Sequence, residues 1–290
     1  MMRGVMTGLF LIITVPVACA AEWVPVFSDE FLNEGRPDAS KWRYERGFVR
    51  NSEPQWYSDA LQNVAVRQGV LELIARKETL SQPNPDFVKA PPAVQASWPK
   101  QTTHIRFTSG SIDTKGKFAF RYGKMEVRAR LPKGQGVWPA IWTLGVQRRH
   151  PDCGEIDVME YVWSSQQTVW STLHFVGSRD LPQRVRSGGF TGASVLDGAW
   201  HVYGMEWSAE KIIFTFDGMP YFTFPLDLAN RPDGSNPFRE PHYVKLNLAL
   251  GAPGNWGGKL DETILPQTFA VDYIRIWQKQ EATLGEKLTR

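Results

Sequence analysis

Cysteine is scarce in this sequence, and so are long apolar runs. Two cysteines, Cys19 and Cys153, occur among 290 residues. Cys19 lies in an apolar N-terminal segment that we predict to be removed, so an intramolecular disulfide is excluded in the mature chain. No apolar run beyond that segment is long enough to cross a membrane as a helix, and we therefore predict no membrane span.

Dense basic clusters and sustained helical periodicity are also lacking. The formal net charge is only +3, and the lysines and arginines are dispersed along the chain. Nucleic acid is therefore not an expected partner. Because a 3.6-residue apolar repeat is almost nowhere sustained, the chain is not expected to be helical. We expect a monomer without an organic cofactor.

The N-terminus has the features of a signal peptide, which we place at residues 1–20. Arg3 supplies a positive charge, residues 9–17 are apolar, and a small-x-small triplet ends at Ala20. We predict cleavage near Ala20, so that the mature protein is secreted or periplasmic. A membrane anchor is an alternative, but the apolar run is short for one. Lipoprotein anchoring at Cys19 is disfavoured because Pro16 stands where a bulky aliphatic residue is expected.

Aromatic residues and short alternating segments are abundant. The chain has 12 Trp, 16 Phe and 8 Tyr, which is more Trp than a core of this size requires, and exposed Trp faces suit sugar rings. Residues 124–131 alternate apolar and polar side chains, which is typical of an antiparallel strand with one wet face. Residues 211–224 indicate a hairpin that turns at Asp217-Gly218. Many such segments predict an all-β fold, a jelly-roll β-sandwich.

The domain organisation is predicted to be simple. One catalytic domain covers residues 21–280, and a charged tail follows at 281–290, because no repeat or composition shift divides the chain. Two segments have no predicted role. The proline-rich loop 80–103 is longer than a simple connection, and the segment 179–186 is basic.

Three carboxylates fall close together in the otherwise apolar segment 154–161. Strand alternation places Glu155 and Asp157 on one face and Glu160 on the other, but a single bulge returns Glu160 to the first face. Crowded carboxylates perturb one another, so that one stays ionised while another keeps its proton. These two states suit glycosidic cleavage, and carboxyl groups roughly 5–6 Å apart predict a retaining mechanism. A solvated acidic strand or a Ca²⁺ site is the alternative.

Residues 155–160, Glu-Ile-Asp-Val-Met-Glu, resemble the active-site signature of glycoside hydrolase family 16. The bulged spacing resembles that of its laminarinase, or endo-1,3-β-glucanase, branch. Further matches follow the family's order at residues 107–111, 131–142, 172–174, 204–207, 246–251 and 271–277. The resemblance implies two curved antiparallel sheets with a substrate groove across the concave one. It also implies cleavage of internal 1,3-β-glucosidic bonds in a β-glucan polysaccharide.

By position, the resemblance implies Glu155 as nucleophile, Glu160 as general acid/base and Asp157 as their modulator. The sugar-binding residues that it implies are Trp138, Trp142, His174, Asn51, Arg76, Asn247 and Trp256. Structural roles in packing are the alternative for the tryptophans and the histidine. For Arg76 the alternative is a surface charge, and Glu53 is interpreted as loop polarity.

A structural calcium site is also implied by the resemblance, far from the groove. Its matching positions are Glu30, Gly69 and Asp272. Hard oxygen ligands at these positions would join both ends of the chain and stabilise the sandwich. The alternative is that Asp272 only hydrogen-bonds the backbone.

Several readings of the activity stay open on the sequence. The same fold acts on other β-linked polysaccharides, such as mixed-linkage glucan or galactan, and some members transfer glycosyl chains instead of hydrolysing them. A non-catalytic β-glucan-binding protein is a further alternative, but such relatives typically lack the catalytic glutamates. Endo or exo action depends on loops that the motifs do not cover.

Overall fold

The computed structural model describes residues 22–96, 102–176 and 183–280. The predicted signal peptide and the charged tail lie outside these residues, as do parts of the two segments without a predicted role. No helix in the described ranges combines the length and apolarity needed to cross a membrane.

The described residues form seventeen strands and a few short helical turns. The strands are β1 Glu22–Asp29, β2 Arg43–Tyr44, β3 Gln55–Tyr57, β4 Val64–Arg67, β5 Val70–Pro83, β6 His104–Ser109, β7 Ser111–Asp113, β8 Gly123–Arg130, β9 Val137–Gly145, β10 Glu155–Glu160, β11 Thr168–Val176, β12 Gln183–Thr191, β13 His201–Trp207, β14 Lys211–Phe216, β15 Met219–Pro225, β16 His242–Leu250 and β17 Gln267–Gln280. The α-helices are α1 Pro85–Lys89 and α2 Pro92–Gln95. The 3₁₀ turns are Trp163–Ser165, Ala193–Leu196, Leu226–Ala229, Pro237–Arg239 and Glu262–Ile264.

The strands form two sheets. Over the described residues the larger sheet has ten strands in the order β15-β14-β13-β8-β17-β5-β6-β3, with β1 beside β17 and β4 beside β5. The smaller sheet has seven, in the order β12-β11-β10-β9-β16-β7-β2. The pair β3 and β6 is parallel, whereas pairs such as β8 with β17 and β9 with β16 are antiparallel. The predicted all-β jelly-roll sandwich is confirmed.

The core lies between the two sheets and accounts for the strand patterns. In β8, Met125, Val127 and Ala129 are fully buried, whereas Lys124 and Glu126 are partly exposed, which confirms the predicted alternation. Each fully buried side chain of this kind stabilises the fold by roughly 1.5–3 kcal/mol. Strand β16 is instead buried along its whole length, because polar side chains cover the face turned away from the core.

The predicted turn at Asp217-Gly218 is confirmed, and a second hairpin has a turn of the same kind. Asp217 and Gly218 join β14 to β15 with φ of 48° and 78°, the left-handed pair that a tight hairpin turn requires. Gln68 and Gly69 join β4 to β5 with φ of 51° and 74°. The Asp217 side chain also accepts the backbone N–H of Val202 at 2.8 Å, which ties the first turn to β13.

The segment 80–103 is only partly a loop. Strand β5 continues to Pro83, and α1 and α2 follow it. Asn84 begins α1, because its side chain accepts the backbone N–H of Asp86 at 3.0 Å. The same side chain donates to the carbonyl of Thr102 at 2.8 Å, which ties the residue after β5 to the chain just before β6. The prediction of a continuous loop is therefore wrong for its first residues.

Candidate active site

Strand β10 carries the three predicted carboxylates and contains the predicted bulge. Its pairing with β9 shifts between Asp157 and Met159, and its pairing with β11 shifts between Asp157 and Glu160. Val158 and Met159 are consecutive, yet both lie in the core, 1% and 0% exposed. The extra residue therefore turns Glu160 to the face that Glu155 occupies.

A groove of about 790 Å³ lies across this face of the smaller sheet. Its lining runs from Arg43 on β2 to Ser187 on β12, the two edge strands, and six of the seven strands contribute to it. The predicted residues that line it are Glu155, Glu160, Trp138, Trp142, His174, Asn51 and Trp256. The fold thus brings together side chains that are about 200 residues apart in the chain.

Burial dominates the acidity of two of the carboxyl groups. Asp157 is only 2% exposed, and burial together with the charges of Glu155 and Glu160 raises its pKa well above the usual value. Glu160 borders the groove but is enclosed enough that burial raises its pKa to about 8. The Trp138 indole opposes this shift, since its Nε1 donates to Glu160 Oε1 at 2.9 Å. Glu160 therefore keeps its proton at neutral pH.

Two histidines flank Glu155. The Nε2 atom of His174 lies 3.3 Å from Asp157 Oδ2 and 3.9 Å from Glu155 Oε1, and burial lowers the pKa of His174. His150, which the sequence reasoning missed, places its Nε2 3.0 Å from Glu155 Oε2. The sequence contains one signal for His150, namely a histidine five residues before Glu155, the first carboxylate of the strand.

The tryptophans line the groove as the even spacing of Trp138 and Trp142 predicts. Both are mostly buried, with 8% and 7% exposed, so only a small part of each ring is open to the groove. Trp256 is 43% exposed and meets Trp138 edge to face, with ring centres 5.4 Å apart. The cationic groups of Arg50 and Lys245 each lie 5.0 Å from the Trp142 ring centre.

Asn247 does not reach the groove; it fixes Trp142. Its Oδ1 accepts the Trp142 Nε1–H at 2.7 Å, and its Nδ2 donates to the Tyr57 hydroxyl at 3.1 Å. Glu53 accepts in turn from Tyr57 at 3.2 Å and from Asn51 at 3.2 Å, and burial raises its pKa. Glu53 is therefore a buried centre of hydrogen bonds, and its interpretation as loop polarity is wrong.

A buried ionic network, also missed from the sequence, lies beside the tryptophans. Lys245 is 2% exposed, and its Nζ lies 2.7 Å from Glu45 Oε1 and 3.3 Å from Asp113 Oδ2. Arg43 pairs with Asp113 at 2.7 Å, and Arg50 pairs with Glu45. Burial acts to raise the pKa of Glu45, but Arg50 and Lys245 overcome it and lower the pKa to about 2. The signal for this network in the sequence was Lys245 itself, a lysine within the largely apolar strand β16.

Arg76 lies outside the groove. It is exposed on β5 of the larger sheet, and its backbone is paired with Thr108 of β6. The preceding residue, Ala75, is 0% exposed in the core, so strand alternation turns Arg76 to solvent. Arg76 therefore does not lie with the other predicted sugar-binding residues, and its exposure is that of a surface charge.

The predicted calcium positions meet at the edge of β17. The pairing places Asp29 opposite Ile274 and Leu71 opposite Val271, so Glu30 and Gly69 both approach the bulge at Asp272. Carboxylate and carbonyl oxygens are ligands of the kind that calcium takes. The Glu30 carboxylate, however, accepts two bonds from Arg275 at 2.9 and 2.8 Å, and Asp272 pairs with Arg128. Calcium would compete with these guanidinium groups.

A β-sandwich that holds a protonated carboxyl group beside a second carboxylate, in a groove lined by tryptophans, is the arrangement of a polysaccharide-cleaving enzyme. The sequence profile of Glycosyl hydrolases family 16 matches residues 55–274. The chain belongs to this family and is a glycoside hydrolase.

The chain is similar to several characterised proteins over nearly its whole length. It is 34% identical to the beta-glucanase of Rhodothermus marinus over 272 residues, covering 89% of this chain and 86% of the relative. The solved laminarinase from Rhodothermus marinus superposes with a TM-score of 0.75 at 32% identity, covering 91% of this chain and 100% of that one. A structure solved in work on endo-acting O-glycanases of the human gut microbiota gives 0.81 at 34%, covering 92% and 95%.

We expect Lys245→Met to destabilise the fold by about 3 kcal/mol, because it leaves buried Glu45 and Asp113 without their shared cation. Urea unfolding followed by tryptophan fluorescence measures this. Lys115→Met is the control, since Lys115 lines the same groove but is exposed. Equal stability of the two variants would contradict a structural role for the buried network.

Proposed function

We propose that this enzyme is exported and cleaves internal 1,3-β-glucosidic bonds of laminarin-like glucans with retention of anomeric configuration. The observation that carries the proposal is the bulge in β10, which sets Glu155 and Glu160 on one face of the groove. The similarity to a beta-glucanase and a laminarinase supports the substrate class. For export, the support is the signal-like N-terminus, and N-terminal sequencing of the mature protein tests it.

The proposed reaction has two steps. Glu155 attacks the anomeric carbon while protonated Glu160 donates its proton to the leaving oxygen, which forms a glycosyl-enzyme ester. Glu160, now a carboxylate, takes a proton from water, and the resulting hydroxide attacks the same carbon and releases Glu155. The pKa of about 8 suits Glu160 to both roles. Asp157, with its raised pKa, hydrogen-bonds Glu155 and limits charge repulsion among the three carboxyl groups.

Endo action is supported by the extent of the groove. Its lining reaches from β2 to β12, and six inter-strand spacings of about 4.8 Å give a span of roughly 29 Å. An internal stretch of a polysaccharide fits across this length. We assign sugar stacking to the exposed Trp256 and to the groove edges of Trp138 and Trp142, and polar contacts to Asn51 and His174.

Glu155→Gln is expected to abolish laminarin hydrolysis by a factor of at least about 10⁴, because the amide is no nucleophile, while laminarin binding is retained. Glu206→Gln, an exposed glutamate on β13, is the control and should keep full activity. Reducing-end assays measure turnover, and NMR of the first product gives its anomeric form. Near-normal turnover of Glu155→Gln would contradict the nucleophile assignment, and an inverted product would contradict retention.

A second candidate substrate is a mucin O-glycan chain. It is favoured by the TM-score of 0.81 to a structure from work on mucin O-glycanases, higher than the 0.75 for the laminarinase. Incubation with laminarin, lichenan, agarose, carrageenan and mucin glycans, followed by product sizing, decides between the substrates. Products larger than the donor would indicate glycosyl transfer, and no product from any substrate would favour a binding protein.

Trp138→Phe is expected to move the alkaline limb of the kcat/KM profile to higher pH. The indole N–H stabilises the charged form of Glu160, so its loss raises the pKa of the general acid, which must be protonated to act. We also expect kcat/KM to fall about tenfold, because the acid is weaker and less fixed. Trp142→Phe is the control: it removes a hydrogen bond to Asn247, and the limb should not move.

We further propose that the carboxylates of Glu30 and Asp272 and the carbonyl of Gly69 hold a structural calcium ion. Removal of calcium by a chelator should then lower the melting temperature by about 5 °C. Asp272→Ala should melt lower than the wild type and should not respond to the chelator. An unchanged wild-type midpoint with chelator would contradict the site.

A further inference from the structure

His150 lies in the loop that joins β9 to β10, residues 146–154, and this loop is firmly held. Arg231 pairs with Asp152 at 2.8 Å and donates to the Asp152 carbonyl at 2.6 Å. Within the loop, the Cys153 N–H donates to the Arg149 carbonyl at 3.0 Å. At its base the Gly145 N–H donates to the Gly154 carbonyl at 3.1 Å. The loop therefore fixes the backbone at His150, and the side chain, which is 45% exposed, is held by its contact with Glu155.

The two oxygens of Glu155 face different histidines. Oε2 lies 3.0 Å from His150 Nε2, which is within hydrogen-bond distance. Oε1 lies 3.9 Å from His174 Nε2, which is outside it. The His174 ring lies closer to Asp157, at 3.3 Å from its Oδ2. His150 therefore holds Oε2 of Glu155, in addition to the hydrogen bond that Asp157 makes to the same carboxylate.

We propose that His150 is a positioning residue that donates a hydrogen bond from Nε2 to Glu155 Oε2 and thereby aims Oε1 at the anomeric carbon. The inference rests on the proposed function, in which Glu155 is the nucleophile. A carboxylate fixed at one oxygen loses its rotational freedom before the substrate arrives. Attack then starts from an aligned geometry, and such alignment is a large part of the rate of an intramolecular step.

The charge of His150 depends on the groups around it. Glu155 faces it from β10, His174 faces it from β11 with ring centres 6.5 Å apart, and Asp152 belongs to its own loop. The hydrogen bond to Glu155 raises the pKa of His150, whereas burial lowers that of His174. In mild acid His150 is therefore the histidine that carries a positive charge.

Three variants separate positioning from charge. His150→Ala removes the donor, and we expect kcat to fall about tenfold with KM little changed. His150→Gln keeps an N–H donor without a charge, so it should recover most of kcat at neutral pH. His104→Ala, an exposed histidine on β6, is the control and should match the wild type.

Two outcomes would overturn the inference. If His150→Gln is as slow as His150→Ala at neutral pH, the hydrogen bond is not what positions the nucleophile. If His150→Ala changes KM alone, His150 contacts the sugar instead.

A readout independent of activity keeps this test apart from that of the proposed function. NMR titration of the histidine rings should show that Glu155→Gln returns the pKa of His150 towards its usual value. No change would mean that the contact is absent in solution. Loss of glycan cleavage by the wild type itself would instead contradict the proposed function and leave the NMR result standing.

Discussion

The bulge in β10 is the constraint on which the site depends. It places Val158 and Met159 side by side in the core and, for that reason alone, returns Glu160 to the groove. A one-residue slip of the strand would exchange the buried and groove-facing sets. Met159 would then face the groove and a carboxylate would enter the core, at a cost of several kcal/mol. The packing of the sandwich and the spacing of the reacting groups therefore both require the bulge in β10.

The electrostatics of the site follow from how its charges are divided. Burial, the Trp138 N–H and the charges of Glu155 and Glu53 act on Glu160. The nearby cations Lys245 and Arg50 are paired with Glu45 instead. Glu45 offsets their charge, and burial is the largest influence on the pKa of Glu160. The ionic network and the acid lie in the same groove but have different functions.

Much of this could be predicted from the sequence because it depends on local periodicity. The alternation in β8, the turn at Asp217-Gly218 and the bulge between Asp157 and Glu160 are all readable over fewer than ten residues. What was missed depends on contacts that no local periodicity encodes. The partner of Lys245 is Glu45, 200 positions earlier. His150 is only five positions from Glu155, but the loop conformation and not a strand repeat brings the two side chains together. Arg76 shows the opposite error: positional matching placed it in the groove, although alternation from the buried Ala75 turns it outward.

The groove begins and ends at β2 and β12, the two edges of the smaller sheet, whereas β10 lies inside it between β9 and β11. Insertions beside an edge strand alter no pairing of β10, so they lengthen, narrow or block the groove without moving the reacting groups. Substrate length and reaction chemistry are therefore encoded in separable parts of the gene. An enzyme with this architecture can therefore acquire a preference for a different substrate length through changes in its loops, while its catalytic strand stays the same.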